Sequence, residues 1–357
     1  MTALPTTTYH PWLHAYAVVF MGAVFLLVAV GGSVTSLDAG LSVEHGWTTG
    51  GYFSPLAPAR TWWYNLQTRW EHSHRLAGTA VGLLTIVMMV WLWLTQKLRP
   101  WLRHLGWLLL LMVIVQGVMG AARVDLKSTM LALVHGVFGQ LVLATTVVIS
   151  AATSRVWGHL AGQVLPAAQP AGTLRWLARV LVGMLILQLL LGATVRHHKA
   201  ALAIPDFPTS YGRWVPPLTQ QAIDKAYANL AGSDLPARPA TQGQVLIHFA
   251  HRMGAVAVLG SAVAVTLAVI GSIPIRREIV GPVLALVGLL FFQLALGATV
   301  VWSGRHPEVA TLHQAIGAAL LAVAVWLLIR IHLVTTGPSR HRQSNQNPIA
   351  PIQSQTA

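Results

Sequence analysis

Apolar stretches long enough to cross a membrane recur along the whole chain and alternate with short polar segments. A helix needs about 20 apolar residues to span the hydrocarbon core of a bilayer. Because a helix satisfies its own backbone hydrogen bonds there, each stretch predicts one transmembrane helix. Eight helices are predicted, at residues 15–36, 72–95, 105–122, 130–152, 176–196, 245–270, 279–302 and 309–332.

Basic residues concentrate on one side of these helices, provided that successive helices alternate in direction. The positive-inside rule assigns that side to the cytoplasm. Both termini are then cytoplasmic, and the long loops at 37–71 and 197–244 face outward. The first twelve residues contain no Lys or Arg, so we expect neither a transit peptide nor a cleaved signal, which favours a bacterial plasma membrane. The basic residues concerned are Lys97, Arg99, Arg103, Arg155, Arg175, Arg179, Arg276, Arg277, Arg330, Arg340 and Arg342.

The composition agrees with a membrane protein. Of the 357 residues, 55% are hydrophobic and only 9% are charged, whereas soluble domains carry roughly 25% charged residues. The net charge is +14. Because the basic residues lie in the loops beside the predicted helices, as in a membrane protein, we expect no nucleic-acid partner. The chain has no cysteine, which excludes disulfides and thiolate ligands. Residues 338–357 are polar and are predicted to form a disordered cytoplasmic tail.

The chain contains an internal repeat. "EHSHRLAG" at 71–78 matches "HFAHRMGA" at 248–255, and the sequence around His135 matches that around His313. These features predict an all-α integral membrane protein of eight transmembrane helices, arranged as two tandem four-helix bundles. We expect bundles at 15–152 and 176–332, joined by a cytoplasmic linker at 153–175. Because each bundle has an even number of helices, the expected symmetry is a pseudo-two-fold along the membrane normal.

The odd-numbered predicted helices end with similar sequences. Three of them end in Gln, three further residues and then Gly-Ala, whereas the first ends "LVAVGG". Small residues let helices approach closely, and a glutamine can hydrogen-bond to a neighbouring helix. We therefore interpret these ends as helix-packing positions that leave room at another level for a flat ligand. The matching segments are "QGVMGA" at 116–121, "QLLLGA" at 188–193 and "QLALGA" at 293–298.

Four histidines occupy equivalent positions in the repeat, and the topology places them at similar depth in the first turns of the even-numbered helices. Two imidazoles that face each other across a bundle can bind one iron from both faces of a porphyrin. Zinc is the competing metal, although zinc sites usually recruit a closely spaced third or fourth ligand. The candidate iron ligands are His74, His135, His251 and His313.

One position breaks the symmetry of the repeat. Glu71 lies three residues before His74, so both side chains project from one helical face, whereas His248 takes the equivalent place in the second half. A carboxylate beside a macrocycle can accept a proton or stabilise a developing positive charge. The alternative is that Glu71 only stabilises the N-terminal end of its helix.

Taken together, the paired histidines, the Glu-x-x-His-Arg element and the loop segments "GLSVEHGW" and "LAIPDFPTSYG" resemble the haem A synthase family over residues 15–332. The resemblance implies oxidation of the C8 methyl group of haem O to the formyl group of haem A, through two hydroxylations whose oxygen comes from water. It also implies a haem b cofactor, haem O synthase and cytochrome oxidase as partners, and an electron acceptor that the sequence does not identify.

The resemblance assigns different roles to the two halves. His251 and His313 would be the axial ligands of haem b, and His74 and His135 would receive haem O, with Glu71 as the catalytic residue at the reacting edge. Many bacterial members carry cysteine pairs in the outer loops. This chain has no cysteine, so a mechanism that needs a thiol in a loop cannot operate in it.

Arginines at the outer helix ends are candidate partners for the haem propionates, because arginine forms charge-assisted hydrogen bonds with carboxylates. Interfacial arginines that reach lipid headgroups are the alternative. The main alternative function is a quinol-linked two-haem membrane cytochrome that carries electrons and modifies no substrate. A transporter is a weaker one, because no broken helix is evident at mid-membrane depth. The arginines are Arg75, Arg123, Arg196, Arg252 and Arg305.

Overall fold

The computed structural model describes residues 9–161, 171–230, 238–271 and 277–336. Eight of its helices are long and apolar enough to cross a membrane, which confirms the predicted all-α membrane fold. They are α1 (Pro11–Ser36), α2 (Leu66–Thr95), α3 (Pro100–Asp125), α4 (Thr129–Thr153), α6 (Ala171–His197), α8 (Gln242–Gly271), α9 (Arg277–Trp302) and α10 (Pro307–Thr336).

Several helices begin earlier than the apolar pattern predicts. The side chain of Asn65 accepts a hydrogen bond of 2.9 Å from the Thr68 amide and starts α2 before its apolar stretch. As a result, His74 and His251 lie in the third turns of α2 and α8, and His135 and His313 lie in the second turns of α4 and α10. The prediction that all four lie in first turns was wrong: polar residues extend α2 and α8 beyond their apolar stretches, and His135 and His313 lie past the first turn even of the predicted spans.

The remaining elements are short. Between α1 and α2 lie an antiparallel pair, β1 (Thr48–Thr49) and β2 (Tyr52–Phe53), and two 3₁₀ turns at Ser54–Leu56 and Ala59–Thr61. Helix α5 (Arg155–Ala161) follows α4 within the predicted linker, and α7 (Gln220–Ala228) lies in the long loop before α8. Residues 162–170 of that linker and the predicted disordered tail at 338–357 lie outside the described residues.

The centre of the molecule is formed by two helices from each half of the chain. Helices α1 and α4 pack against α6 and α10, while α2, α3, α8 and α9 lie further out. Buried Leu, Val and Ala side chains from α6, α8, α9 and α10 form one core cluster, and α1, α2, α3 and α4 form most of a second. This packing is compatible with two tandem four-helix bundles. The pseudo-two-fold axis and the bundle boundaries stay predictions.

The two halves are also joined by polar contacts near the outer ends of the central helices. The Arg196 guanidinium on α6 donates to the Gly32 carbonyl of α1 (3.3 Å) and to Gln314 Oε1 of α10 (3.1 Å). Gln314 in turn donates to the Val28 carbonyl of α1 at 3.1 Å. A Cβ atom at Gly32 would collide with the amide of Gln314, so a larger residue there would displace this contact between α1 and α10.

Candidate functional site

The four repeat-related histidines come together as two facing pairs, one in each half. The ring centroids of His74 and His135 are 6.5 Å apart, with an angle of 82° between the ring planes. Those of His251 and His313 are 6.4 Å apart, with an angle of 76°. The sequence predicted these two pairs, and the structure gives both pairs nearly the same geometry.

Each pair fits two axial ligands of one iron. Metal–imidazole bonds are about 2.0–2.1 Å long, as in zinc sites, so two imidazoles on opposite sides of one metal have ring centroids about 6.3 Å apart. Moreover, Nδ1 of His74, His135 and His313 is buried and has no hydrogen-bond partner. Buried polar atoms are normally paired. The spacing and the unpartnered nitrogens therefore both fit a metal between the rings.

A glycine on the preceding helix supports each of these rings. A Cβ atom added at any of the four glycines would lie 3.0–3.1 Å from Cε1 of a histidine, closer than side chains normally pack. The glycines are therefore more than general helix-packing positions, because each makes room for one ligand-type ring. The four contacts are Gly31 with His74, Gly120 with His135, Gly192 with His251 and Gly297 with His313.

The glutamine of each Gln-x-x-x-Gly end contacts the same histidine as the glycine. Gln116 Nε2 donates to the His135 carbonyl at 2.9 Å, and Gln188 Nε2 donates to the His251 carbonyl at 3.0 Å. Gln293 Nε2 lies 3.4 Å from Nε2 of the His313 ring. From the sequence, these glutamines were interpreted as general packing positions. Only the pairing of helices in space shows that they hold histidines.

A single cavity of about 1870 Å³ reaches both histidine pairs. Pockets for small ligands usually measure about 300–1,000 Å³, so this cavity has room for more than one large ligand. All four histidines line it, together with Glu71. Among the described residues, no group of three His, Cys, Asp or Glu side chains is placed to hold a metal ion.

Glu71 is 1% exposed and holds the first outer loop against α2. Its Oε2 accepts hydrogen bonds from the Ser42 amide (2.8 Å), the Ser42 hydroxyl (2.9 Å) and the Val43 amide (3.1 Å). Its Oε1 pairs with Arg75 Nη2 at 3.0 Å. Ordered donors thus occupy this carboxylate, and it cannot be described as a simple helix cap.

His248 has an equivalent structural role in the second half. Its Nδ1 accepts a hydrogen bond of 3.3 Å from the amide of Ile204, which corresponds to Val43 in the repeat, and Arg252 Nε lies 3.3 Å from its Nε2. Both positions therefore connect an outer loop to an arginine one helical turn further on. The halves share this arrangement and differ in the charge at its centre.

The arginines predicted to bind propionates have different surroundings. Arg75 Nη1 donates to the carbonyls of His45 (2.8 Å) and Thr48 (3.1 Å). Arg252 donates to the carbonyls of Thr209 and Asp206, both at 2.8 Å. These two guanidinium groups hold loop backbone.

Of the other three candidate arginines, Arg196 holds α1 and α10 together, as described above, and two lie closer to the space between the halves. Arg305 pairs with Asp38 at 3.2 Å, which joins the ends of α9 and α1. Arg123 lines the cavity, and its Nε is buried without a partner. His197 lines the cavity as well, and its side chain interacts electrostatically with Arg123. Arg123 is therefore the candidate arginine best placed to receive an anionic group.

His72, which stands beside Glu71 in the sequence, faces away from the cavity wall. It is fully buried, its ring stacks on Trp62 with centroids 4.3 Å apart, and its Nδ1 lies 3.0 Å from Thr49 Oγ1. His72 therefore anchors the first outer loop. The repeat separates the two histidines, since His74 matches His251 and His72 aligns with Phe249, but no feature of the sequence predicts that His72 anchors a loop.

The long loop between α6 and α8, the second of the two long outer loops, is organised around Asp206. Its carboxylate accepts hydrogen bonds from the Thr209 hydroxyl (2.6 Å) and the amides of Tyr211 (2.6 Å) and Gly212 (2.9 Å). Burial raises the pKa of the Asp206 carboxyl, but these hydrogen bonds outweigh burial and hold the pKa below its usual value. Burial also raises the pKa of Tyr211 to about 12, and its hydroxyl donates to the Ala203 carbonyl at 2.7 Å.

Comparison with known proteins places this geometry in a family. The family model described as cytochrome oxidase assembly protein matches residues 14–325. Similar curated proteins include a heme A synthase of Rhizorhabdus wittichii, 28% identical, which covers 88% of this chain and 91% of its own. Another, from Sphingopyxis alaskensis, is 29% identical and covers 90% and 91%. The resemblance predicted from the sequence is confirmed: the chain belongs to the cytochrome oxidase assembly protein family, in which its similar curated proteins are heme A synthases.

Proposed function

We propose that this protein is a haem A synthase, which oxidises the C8 methyl group of haem O to the formyl group of haem A. One observation carries the proposal. The two histidine pairs have nearly the same geometry, but the residue beside each pair differs in charge. Glu71 lies beside the first pair and His248 beside the second. Two equal haem sites would not need this difference, whereas one cofactor site and one substrate site would.

The C-terminal half is the proposed cofactor site. His251 and His313 would hold haem b, which supplies one-electron oxidation and reduction when bound. His74 and His135 would hold the iron of haem O in the N-terminal half. The spacing of both pairs supports this assignment, as do the buried ring nitrogens without partners.

The proposed reaction proceeds in two hydroxylations. Each replaces a C–H bond of the methyl carbon with a C–OH bond, takes its oxygen from water and releases two electrons and two protons. The resulting geminal diol loses one water molecule to give the formyl group. Four electrons and four protons leave in total, so the protein needs an electron acceptor.

Glu71 is the proposed catalytic residue. Its carboxylate accepts three hydrogen bonds on Oε2, from Ser42 and Val43, and one on Oε1 from Arg75, so most of the lone pairs that a general base would use are occupied. We therefore propose that its negative charge stabilises positive charge at the reacting carbon, rather than removing a proton itself. This role requires the charge to be fixed in place, and the same contacts fix it.

Arg123 is the proposed propionate partner in the N-terminal half, since its Nε is buried without an acceptor at the cavity wall. Arg305 is the second choice, because its ion pair with Asp38 is partly exposed and can rearrange. Arg75 and Arg252 would act on propionates only by giving up loop carbonyls. The proposed location is the bacterial plasma membrane, with both termini in the cytoplasm and haem O synthase and cytochrome oxidase as partners.

The two-haem cytochrome remains the second candidate, because the two pairs differ by only 0.1 Å in spacing and 6° in angle. Pigment extraction from protein produced in cells that make haem O but lack their own haem A synthase separates the two functions. We expect one equivalent of haem b together with haem O and haem A. Two equivalents of haem b without any haem A would establish the cytochrome instead.

A further inference from the structure

The Gln-x-x-x-Gly end is complete in three of the four histidine sites and is altered in the fourth. In α1, Leu27 stands where the other helices have glutamine, four residues before Gly31. His74 therefore rests on its glycine, and its ring bonds to the backbone of Leu27, but no glutamine amide reaches it. The other three histidines each have both supports: Gln116 with His135, Gln188 with His251 and Gln293 with His313.

The space that the amide occupies elsewhere is empty beside His74. A Cβ atom at Gly139, four residues after His135, would lie 3.1 Å from Gln116 Nε2, and one at Gly317, four residues after His313, would lie 3.3 Å from Gln293 Nε2. At Gly78, four residues after His74, a Cβ atom would have nothing within 4 Å. The ring of His74 therefore lacks the amide contact that its three counterparts have, and it has more free space beside it.

Groups that hydrogen-bond to a metal ligand fix its orientation, and their loss commonly weakens metal binding by about 10- to 100-fold. We propose that Leu27 makes His74 the releasable ligand, so that the N-terminal site exchanges its porphyrin while the C-terminal site retains haem b. The inference rests on the proposed function, since it takes both histidine pairs as haem ligands. Leu27 is a positioning residue in this scheme, because it acts through His74 and touches no reacting atom.

Exchanging the residues between the halves tests the proposal. Leu27→Gln is made in a protein whose C-terminal site has been emptied by His251→Ala and His313→Ala. Gln188→Leu is made in a protein whose N-terminal site has been emptied by His74→Ala and His135→Ala. Each protein is loaded with ferric haem b, and its transfer to excess apomyoglobin is followed by the Soret absorbance.

We expect the N-terminal site to release haem b at least about tenfold faster than the C-terminal site. Leu27→Gln should slow the release of haem b about three- to tenfold, because it adds one neutral hydrogen bond. Gln188→Leu removes one and should accelerate release from the C-terminal site by a similar factor. Leu27→Met is the matched control, since it keeps the volume without an amide and should release haem b like its parent.

Equal release rates from the two parent sites, or a folded Leu27→Gln variant with an unchanged rate, would overturn the proposal. If Leu27→Gln does not fold, Gln188→Leu decides alone, and an unchanged rate there overturns the proposal. Failure of either parent site to give a low-spin haem b spectrum would be a different result. It would remove the proposed function itself and the inference with it.

Discussion

In both halves a glycine packs against each histidine ring, but the helix surface just below the histidines differs. In the N-terminal half, a Cβ atom at Gly78, Gly82 or Gly117 would meet nothing within 4 Å. The equivalent positions in the C-terminal half are Ala255, Leu259 and Leu294, all of which line the cavity. Leu259 also packs against the core of its half.

The difference shows how a duplicated bundle can acquire two functions without a new fold. A cofactor that stays bound benefits from side chains that fill the space around it. A substrate that enters and a product that leaves need space that protein atoms do not fill. The open glycine surface, the hydrophobic Leu27 and the charge of Glu71 all occur in the same half, the proposed substrate half.

The largest expected effect comes from removing one iron ligand in each half. His313→Ala should abolish the low-spin haem b spectrum, because the iron loses an axial ligand. His135→Ala should leave that haem b in place and stop haem A formation. Absorbance spectra and pigment extraction of both purified variants measure this. Loss of haem b from the His135→Ala variant alone would reverse the assignment of the halves.

Neutralising Glu71 is expected to have the next largest effect. Glu71→Gln keeps the size and one acceptor oxygen, so the Ser42 and Val43 contacts can persist while the charge is lost. Haem A formation should fall about 10²- to 10³-fold, with haem b unchanged and haem O or the hydroxylated intermediate accumulating. The matched control, His248→Gln, should leave haem A formation within about threefold. Normal turnover by Glu71→Gln would reduce Glu71 to a loop anchor.

A smaller effect is expected from filling the open surface. Gly82→Leu introduces the residue that the C-terminal half has at position 259, and its side chain has space to fit. It should raise KM for haem O several-fold and leave the haem b spectrum unchanged, because the added side chain occupies ligand space and leaves the chemistry intact. Gly260→Leu, at a glycine that also has open space in the C-terminal half, is the control for folding. Equal KM values for haem O in the Gly82→Leu and Gly260→Leu variants would contradict the inference that the open surface of the N-terminal half receives the substrate.

The smallest effect concerns the second outer loop and its dependence on pH. The depressed pKa of Asp206 means that its hydrogen bonds stabilise the loop above the usual carboxyl pKa of about 3.9. That stability is lost as the pH falls through the lower folded-state pKa. Asp206→Asn should therefore speed hydrogen exchange at the Tyr211 and Gly212 amides at pH 7. An unchanged exchange rate in that variant would show that other contacts hold the loop.

The sequence predicts the helices and the ligand pairs because both depend on local patterns. Apolar length defines the spans, and the repeat places His74, His135, His251 and His313 at equivalent positions. The partners of Glu71 could not be predicted, since Ser42 lies 29 residues earlier in a loop without a regular pattern. Whether an arginine faces a propionate or a loop carbonyl depends on that loop as well. For the same reason, Arg75 and Arg252 could not be distinguished from Arg123.

The contact between α1 and α10 also sets an order of assembly during synthesis. Helix α1 enters the membrane first and α10 last, yet Gly32 and Val28 of α1 are joined to Gln314 and Arg196, from the later part of the chain. The contact between Gln314 and Val28 can form only after nearly the whole chain has been made, whereas Arg196 on α6 is made earlier. His313 lies on α10 too, so the C-terminal histidine pair is completed at the same step. Translation that stops before α10 therefore leaves α1 without Gln314 and the C-terminal pair with one histidine.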